Sequence, residues 1–148
     1  MKWMKLSPAL LLFTSTLLAQ ADNGLKVFIS VDMEGISGVV VSSECSRSGK
    51  DFGLFRKIMT EDTNAAIEGA AAAGATDIIV RDSHGVKRNI LPDVLDPRAK
   101  LLRGVSGATK NMMDTIDESY DAVIFIGYHA KAGTPDAIIE HTSSGNVT

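Results

Sequence analysis

Three short runs of this chain are apolar almost throughout, not at every second position: Lys26 to Met33 (KVFISVDM), Asp77 to Val80, and Ala122 to Ile126 (AVIFI). A strand that shows one face to water alternates, whereas a strand covered on both faces does not. A long helical pattern separates the first two runs. It starts near Gly53, sets Phe55, Met59, Ala66, Ile67, Ala70 and Ala71 on one face, and meets Gly74 where it should stop. Strand and helix in alternation, with strands buried on both sides, predict an α/β chain. The expected architecture is a three-layer sandwich with a mostly parallel sheet and helices on both faces. AVIFI is the run expected to be most buried.

Weaker signals fill the gaps. Leu91 to Leu95 reads as a helical turn closed off by Pro97, and Lys100 to Arg103 as a short strand. Lys110 to Tyr120 reads as a helix with Met113, Ile116 and Tyr120 on one face, and Met112 and Met113 are expected in the core. The 148 residues suffice for one domain and its core, expected over 22–148. Residues 1–21 read as a leader. Lys2 and Lys5 start it, an apolar run follows from Leu10 to Leu18, and Ala19-Gln20-Ala21 fits small-x-small cleavage ahead of Asp22. That run is shorter than the ~20 residues that span a bilayer. The expectation is therefore an exported protein, periplasmic or secreted, with no membrane attachment after cleavage. Ser143 to Thr148 contains no closing element, and a longer parent chain is expected.

A net charge of −3 without a basic cluster excludes broad attraction to nucleic acid or anionic lipid. Cys45 is the one cysteine, so no intrachain disulfide can form. With no histidine beside it in sequence, Cys45 reads as a small buried or loop residue. Gly49-Lys50 has Glu44 and Asp51 where a phosphate loop needs glycine and serine or threonine. Gly35-Ile36-Ser37-Gly38 lacks the spacing of a nucleophile elbow, and there is no HExxH or paired CxxC.

What remains is chemistry at strand ends, where open α/β sheets bind their ligands. The first strand delivers Asp32 and Glu34, the second Asp82 and His84, the last His129. Residues two apart on an extended chain point the same way, so each pair can converge. The chain has three histidines; two follow strands directly, and His141 lies beyond a Gly133-Thr134-Pro135 turn. Mixed carboxylate and imidazole donors suit zinc or manganese better than calcium or magnesium. Two metals sharing one carboxylate would stand roughly 3.5–4 Å apart. Plainer readings exist for each residue taken alone. Asp32 and Glu34 can cap a turn, His129 can be a hydrogen-bonded histidine, and Asp82 can serve as the acceptor that orients His84.

Taken in order, the motifs are similar to those of a known family. Ser30 to Gly38 (SVDMEGISG) resembles the opening motif of the DppA-like D-aminopeptidases, peptidase family M55. Met59-Thr60-Glu61 with Asn64-Ala65-Ala66-Ile67 resembles that family's first helix. Asp82-Ser83-His84-Gly85 and Gly127-Tyr128-His129-Ala130 resemble its second and third metal motifs. The turn leading to His141 resembles its catalytic loop. The resemblance runs from about Lys26 to the end and implies the N-terminal domain of the D-aminopeptidase fold. It further implies a pair of Zn2+ ions per subunit, with Asp32 bridging and Glu34, His84 and His129 as further ligands. His141 matches the catalytic position, as nucleophile, general base or proton donor. Short peptides with an N-terminal D-residue are the implied substrates, and a ring-like homo-oligomer the implied assembly. One departure is visible. The family's further glutamate ligand lies downstream of the catalytic histidine; Glu140 does not match it, so an incomplete site is implied. Two other functions stand beside this one: a magnesium-dependent phosphohydrolase built on the Asp-x-Glu, and a truncated domain that binds metal or peptide without turnover.

Overall fold

The structure, a computed structural model, describes residues 24–105, 107 and 111–143. The leader expected over residues 1–21 lies outside them. Four strands form one parallel sheet: β1 (Leu25–Val31), β2 (Ala75–Asp82), β3 (Ala99–Leu102) and β4 (Ala122–Ile126), in the order β3-β2-β1-β4. The chain steps outward from β1 through β2 to β3 and then returns to the other side of β1. The direction of strand order therefore reverses at β1, which opens a crevice beyond the strand ends.

A short helix, α1 (Ser42–Cys45), precedes the long α2 (Phe52–Ala72). Phe55, Met59, Ile67 and Ala70 of α2 are buried with Val27, Ile29, Val31, Ile78 and Val80 of the sheet in one apolar cluster. Thr60 and Thr63 lie on the same buried face and spend their hydroxyls on the helix's own carbonyls, Arg56 O and Met59 O. Gly74 ends the helix at φ +97°, a conformation open to glycine without a Cβ penalty. Leu91 to Leu95 is a single turn, with the amides of Val94 and Leu95 bonded to Leu91 O, and β3 falls within a residue of its expected place.

Two expectations about the opposite face need correction. The helix expected over Lys110 to Tyr120 is a 3-10 turn, Asn111–Met113, followed by irregular chain (Lys110 itself lies outside the described residues). Asn111 and Thr115 take positive φ, +43° and +72°, which no α-helix accommodates. Asp117 Oδ1 also accepts from both the amide and the hydroxyl of Ser119, a local bonding pattern that competes with a helix. Among the described residues the second layer is therefore this segment. Tyr120 meets Phe28 edge to face at 5.3 Å, and Met112 O accepts from Ser30. Met112 and Met113 are only partly buried and stand outside the apolar core.

The second correction concerns β4. AVIFI is one of the two edge strands of the described sheet and not its most buried one, with Val123 39% and Phe125 55% exposed. A uniformly apolar strand needs cover on both faces, and its sequence does not say which segment provides it.

Candidate metal centre

Register builds the site. Val31 pairs with Asp82 on one side and Ile126 on the other, so β1, β2 and β4 end at one level. Two further bonds carry the pairing past the strands: Asp32 N–H to Ile126 O and Ser83 N–H to Val31 O, both 2.8 Å. Gly35 N–H then reaches Gly127 O, also at 2.8 Å. The backbones are so close here that a Cβ on Gly35 would stand 2.5 Å from Tyr128 O. Asp32, His84 and His129 thus leave three neighbouring strands into the same crevice.

Asp32, Glu34 and His84 converge, with one ligand atom from each within 4.8 Å of the others. His84 Nδ1 lies 3.3 Å from Asp32 Oδ1 and 3.1 Å from Glu34 Oε2. Ligands on a tetrahedral zinc with bonds of about 2.0–2.1 Å stand roughly 3.3 Å apart, close to the two distances from His84 Nδ1. His129 approaches from the other side, with Nε2 3.7 Å from Asp32 Oδ2. His141 Nε2 lies 3.9 Å from Glu34 Oε1, and its ring stacks on that of His129 at 3.5 Å. Five of the six residues picked out in the sequence meet in one place; Asp82 does not join them.

The imidazoles share a further feature. Each ties one nitrogen to a backbone carbonyl: His84 Nε2 to Cys45 O (3.0 Å), His129 Nδ1 to Ala130 O (2.9 Å), and His141 Nδ1 to Ile139 O (2.9 Å). A carbonyl can only accept, so the bonded nitrogen carries the hydrogen. In each neutral ring the other nitrogen presents its lone pair to the carboxylates. Metal-binding histidines characteristically have this outer hydrogen bond, which fixes both tautomer and ring plane. The loop that carries His141 is held in strain, because Ile139, a β-branched residue, sits at φ +55°.

Asp82 does not orient His84. Its side chain is fully buried and turned the other way, accepting from Asn89 N, Asn89 Nδ2 and Ile90 N at 2.5–2.8 Å. The pairing of Asp82 with His84 fails because β2 ends at Asp82 and the chain turns before His84. Asn89 links the two indirectly by also donating to His84 O (2.7 Å). Neither Asn89 nor the Cys45 carbonyl had a signal in the sequence.

Burial pushes the Glu34 carboxyl up, but the hydrogen bond from His84, with the charge of His84, outweighs it and holds it at about 2. Burial likewise pushes His84 down, and the bonds and charges of Asp32 and Glu34 bring it up to about 10. The metal-free cluster therefore keeps a proton on His84 Nδ1 at neutral pH, in the place a cation would take. That proton must leave when a metal binds. Zinc affinity is expected to rise about tenfold per pH unit between 6 and 8, with one proton released per event. Calorimetry in buffers of different ionisation enthalpy reads this directly; zero protons released would show that His84 is not a ligand. The Cys45 thiol is pushed to about 12 by burial and then by the charges of Glu34, Asp32 and Glu44, which removes it as a nucleophile.

A cavity of about 320 Å³ opens over the cluster, and its lining continues to Gly85, Lys87, Asn111 and Met112. Met112, expected in the core, thus helps to wall the site, and its carbonyl accepts from Ser30 and Ser83.

Residues 25–148 match the family model of peptidase M55, D-aminopeptidase. The chain is 36% identical over 120 residues to a D-aminopeptidase of Bacillus subtilis (strain 168), covering 80% of this chain and 42% of that protein. A solved structure of the Zn-dependent D-aminopeptidase DppA from Bacillus subtilis, described as a self-compartmentalizing protease, superposes with a TM-score of 0.77 at 34% identity. The superposition covers 81% of this chain and 43% of that one. The chain thus spans about two fifths of the length of the relatives it matches. With the family model matching nearly all of the described residues, the chain belongs to the M55 peptidase family of D-aminopeptidases.

Proposed function

We propose that this chain carries most of the two-zinc site of an aminopeptidase that hydrolyses short peptides with an N-terminal D-residue. The observation that carries the reading is the set of three imidazoles, each pinned by one nitrogen to a carbonyl and turned with the other toward Asp32 and Glu34. The two oxygens of Asp32 face different partners, Oδ1 toward His84 and Oδ2 toward His129. A carboxylate so placed can be shared between two ions, with Glu34 and His84 serving one and His129 the other. When bound, zinc supplies Lewis acidity toward a peptide carbonyl and activates water.

The protein's own groups do the rest. Asp32 and Glu34 supply the negative charge that would hold the ions. His141 has its Nδ1 fixed and its Nε2 turned inward, so it can take a proton from water and deliver it to the departing amine. Its stacking on His129 keeps the ring at that station. Export with cleavage before Asp22 and assembly into a homo-oligomer belong to the same proposal; the relative's description as self-compartmentalizing supports the second.

The test begins with metal. Protein starting at Asp22 is dialysed against metal-free buffer and its zinc measured by elemental analysis. Close to two zincs per chain supports the reading, whereas none overturns it. In the longer protein, His141→Ala is then expected to lower turnover of D-aminoacyl peptides by about 10²–10⁴-fold with zinc content unchanged. A variant that loses zinc instead would make His141 a ligand and not a proton carrier.

A further inference from the structure

Two cations lie beside the cavity, and the peptidase chemistry gives neither of them a task. Lys87 is 6% exposed and lines the cavity. Among the described residues its Nζ donates only to backbone, to Ser83 O at 3.4 Å and Gly85 O at 3.3 Å, both long. No carboxylate of the described residues comes within 4 Å of it. Arg81 is 1% exposed; its Nε donates to the carbonyl of Asn111, which lines the same cavity, and both terminal guanidinium nitrogens have no hydrogen-bond partner among the described residues. The two feel each other, since burial and then the charge of Arg81 draw the Lys87 ammonium below its usual range. Asp82 and Asp32 act in the opposite sense, but Asp82 is saturated by Asn89 and Ile90, and Asp32 belongs to the metal cluster.

Burying a cation without a partner is costly, and a buried guanidinium with idle donors is rarer still. The backbone shows the same pattern. Lys87 sits at φ +58°, left-handed for a residue with a Cβ, held there by its amide to His84 O (2.8 Å) and by Gly104 N to its own carbonyl (2.5 Å). Strain of this kind persists where the surroundings impose it, and it concentrates at ligand clamps.

We propose that Lys87, with Arg81 behind it, receives the free carboxylate of the substrate. The inference rests on the peptidase reading above and adds a substrate class to it: peptides with an unblocked carboxyl end, short enough to reach from the metal cluster to Lys87 within one small cavity. Di- and tripeptides meet that description; longer or C-terminally amidated chains do not. The metal cluster and the Lys87 ammonium, at the two ends of one pocket, would then meet the two ends of the same short peptide.

The probe is a non-hydrolysable reduced-bond analogue of D-alanylglycine, as the free acid and as the C-terminal amide. Each is titrated into the zinc-loaded full chain and into its Lys87→Met and Lys87→Gln variants, with melting curves to confirm that the variants fold. The native chain is expected to prefer the acid by at least about tenfold, the scale of a hydrogen bond between charged groups. Both variants are expected to bind acid and amide alike. Zinc-dependent binding of both forms without preference in the native chain would overturn the Lys87 role and leave the peptidase reading standing. Equal weakening of acid and amide in the variants would reduce Lys87 to a structural part. No binding of either form would remove the peptidase reading, and the Lys87 role with it.

Discussion

Asp32→Asn is expected to lower zinc affinity by at least a hundredfold while leaving the fold intact. The side chain is 5% exposed and faces three ways: Oδ1 accepts from Met33 N (3.0 Å) and meets His84, while Oδ2 faces His129. Asparagine can keep the Met33 bond through its own oxygen. It cannot keep the charge, and its amide group would turn donor hydrogens toward one of the metal positions. Loss of an outer-shell partner alone typically costs 10–100-fold in affinity, and Asp32 would touch both metals of the proposed pair directly. Asparagine also gives up the charge that helps hold the His84 proton in the metal-free state. Without metal, the variant should melt at or slightly below the native temperature. A zinc concentration of 100 times the native dissociation constant should stabilise the native chain by about 2.7 kcal/mol and the variant by about 0.4 or less. Melting curves with and without zinc check this. Equal zinc-induced shifts in both proteins would remove Asp32 from the metal site.

Gly127→Ala should cost about 3 kcal/mol and lower Tm by roughly 10 °C. Gly127 follows β4 at φ +66°, and a Cβ there would press into Asp32 O and stand 2.6 Å from Ile36 Cγ2. The first of these is backbone and cannot swing aside. Relief would require β4 to move off β1, taking Asp32 and His129 apart. Gly133→Ala is the matching control: its φ is +77°, yet its Cβ would meet nothing within 4 Å, so only the left-handed strain of about 1–2 kcal/mol applies. Thermal melts of the two variants side by side separate strain from crowding. Similar losses would mean that the close approach of β1 and β4 is not what glycine serves here.

The donor set was legible in the sequence because a parallel sheet delivers successive strand ends to one edge. A strand followed at once by Asp-x-Glu, Ser-His or Tyr-His therefore advertises its ligands locally. What held those ligands was not legible. The acceptor for His84 is the Cys45 carbonyl, and a backbone oxygen leaves no mark in side-chain chemistry. Asp82 looked like that acceptor because alternation was extended past the end of β2, where the chain had already turned. The apolar spacing of Met113, Ile116 and Tyr120 suited a helix, but Asn111 and Thr115 took left-handed conformations instead. Val123 and Phe125 marked β4 as a strand meant for cover, without marking what covers it. Arg81 and Lys87 could not stand out among 15 basic residues until burial separated them from the rest.

The strand order also sets a timetable. Asp32, Glu34 and His84 come from the β1–α2–β2 unit, which is contiguous in the chain and can close early. His129 and His141 arrive only when β4 docks against β1, pairing Ala122 with Val27 across some of the longest loop closures in the sheet. Such distant pairings form late, because loop entropy must be met before the contact returns anything. A nascent chain can therefore offer a loose three-donor clasp well before the second wall of the site exists. Metal captured at that stage would bias the remaining chain toward the native docking of β4, making the ion a participant in the order of folding as well as in the finished site.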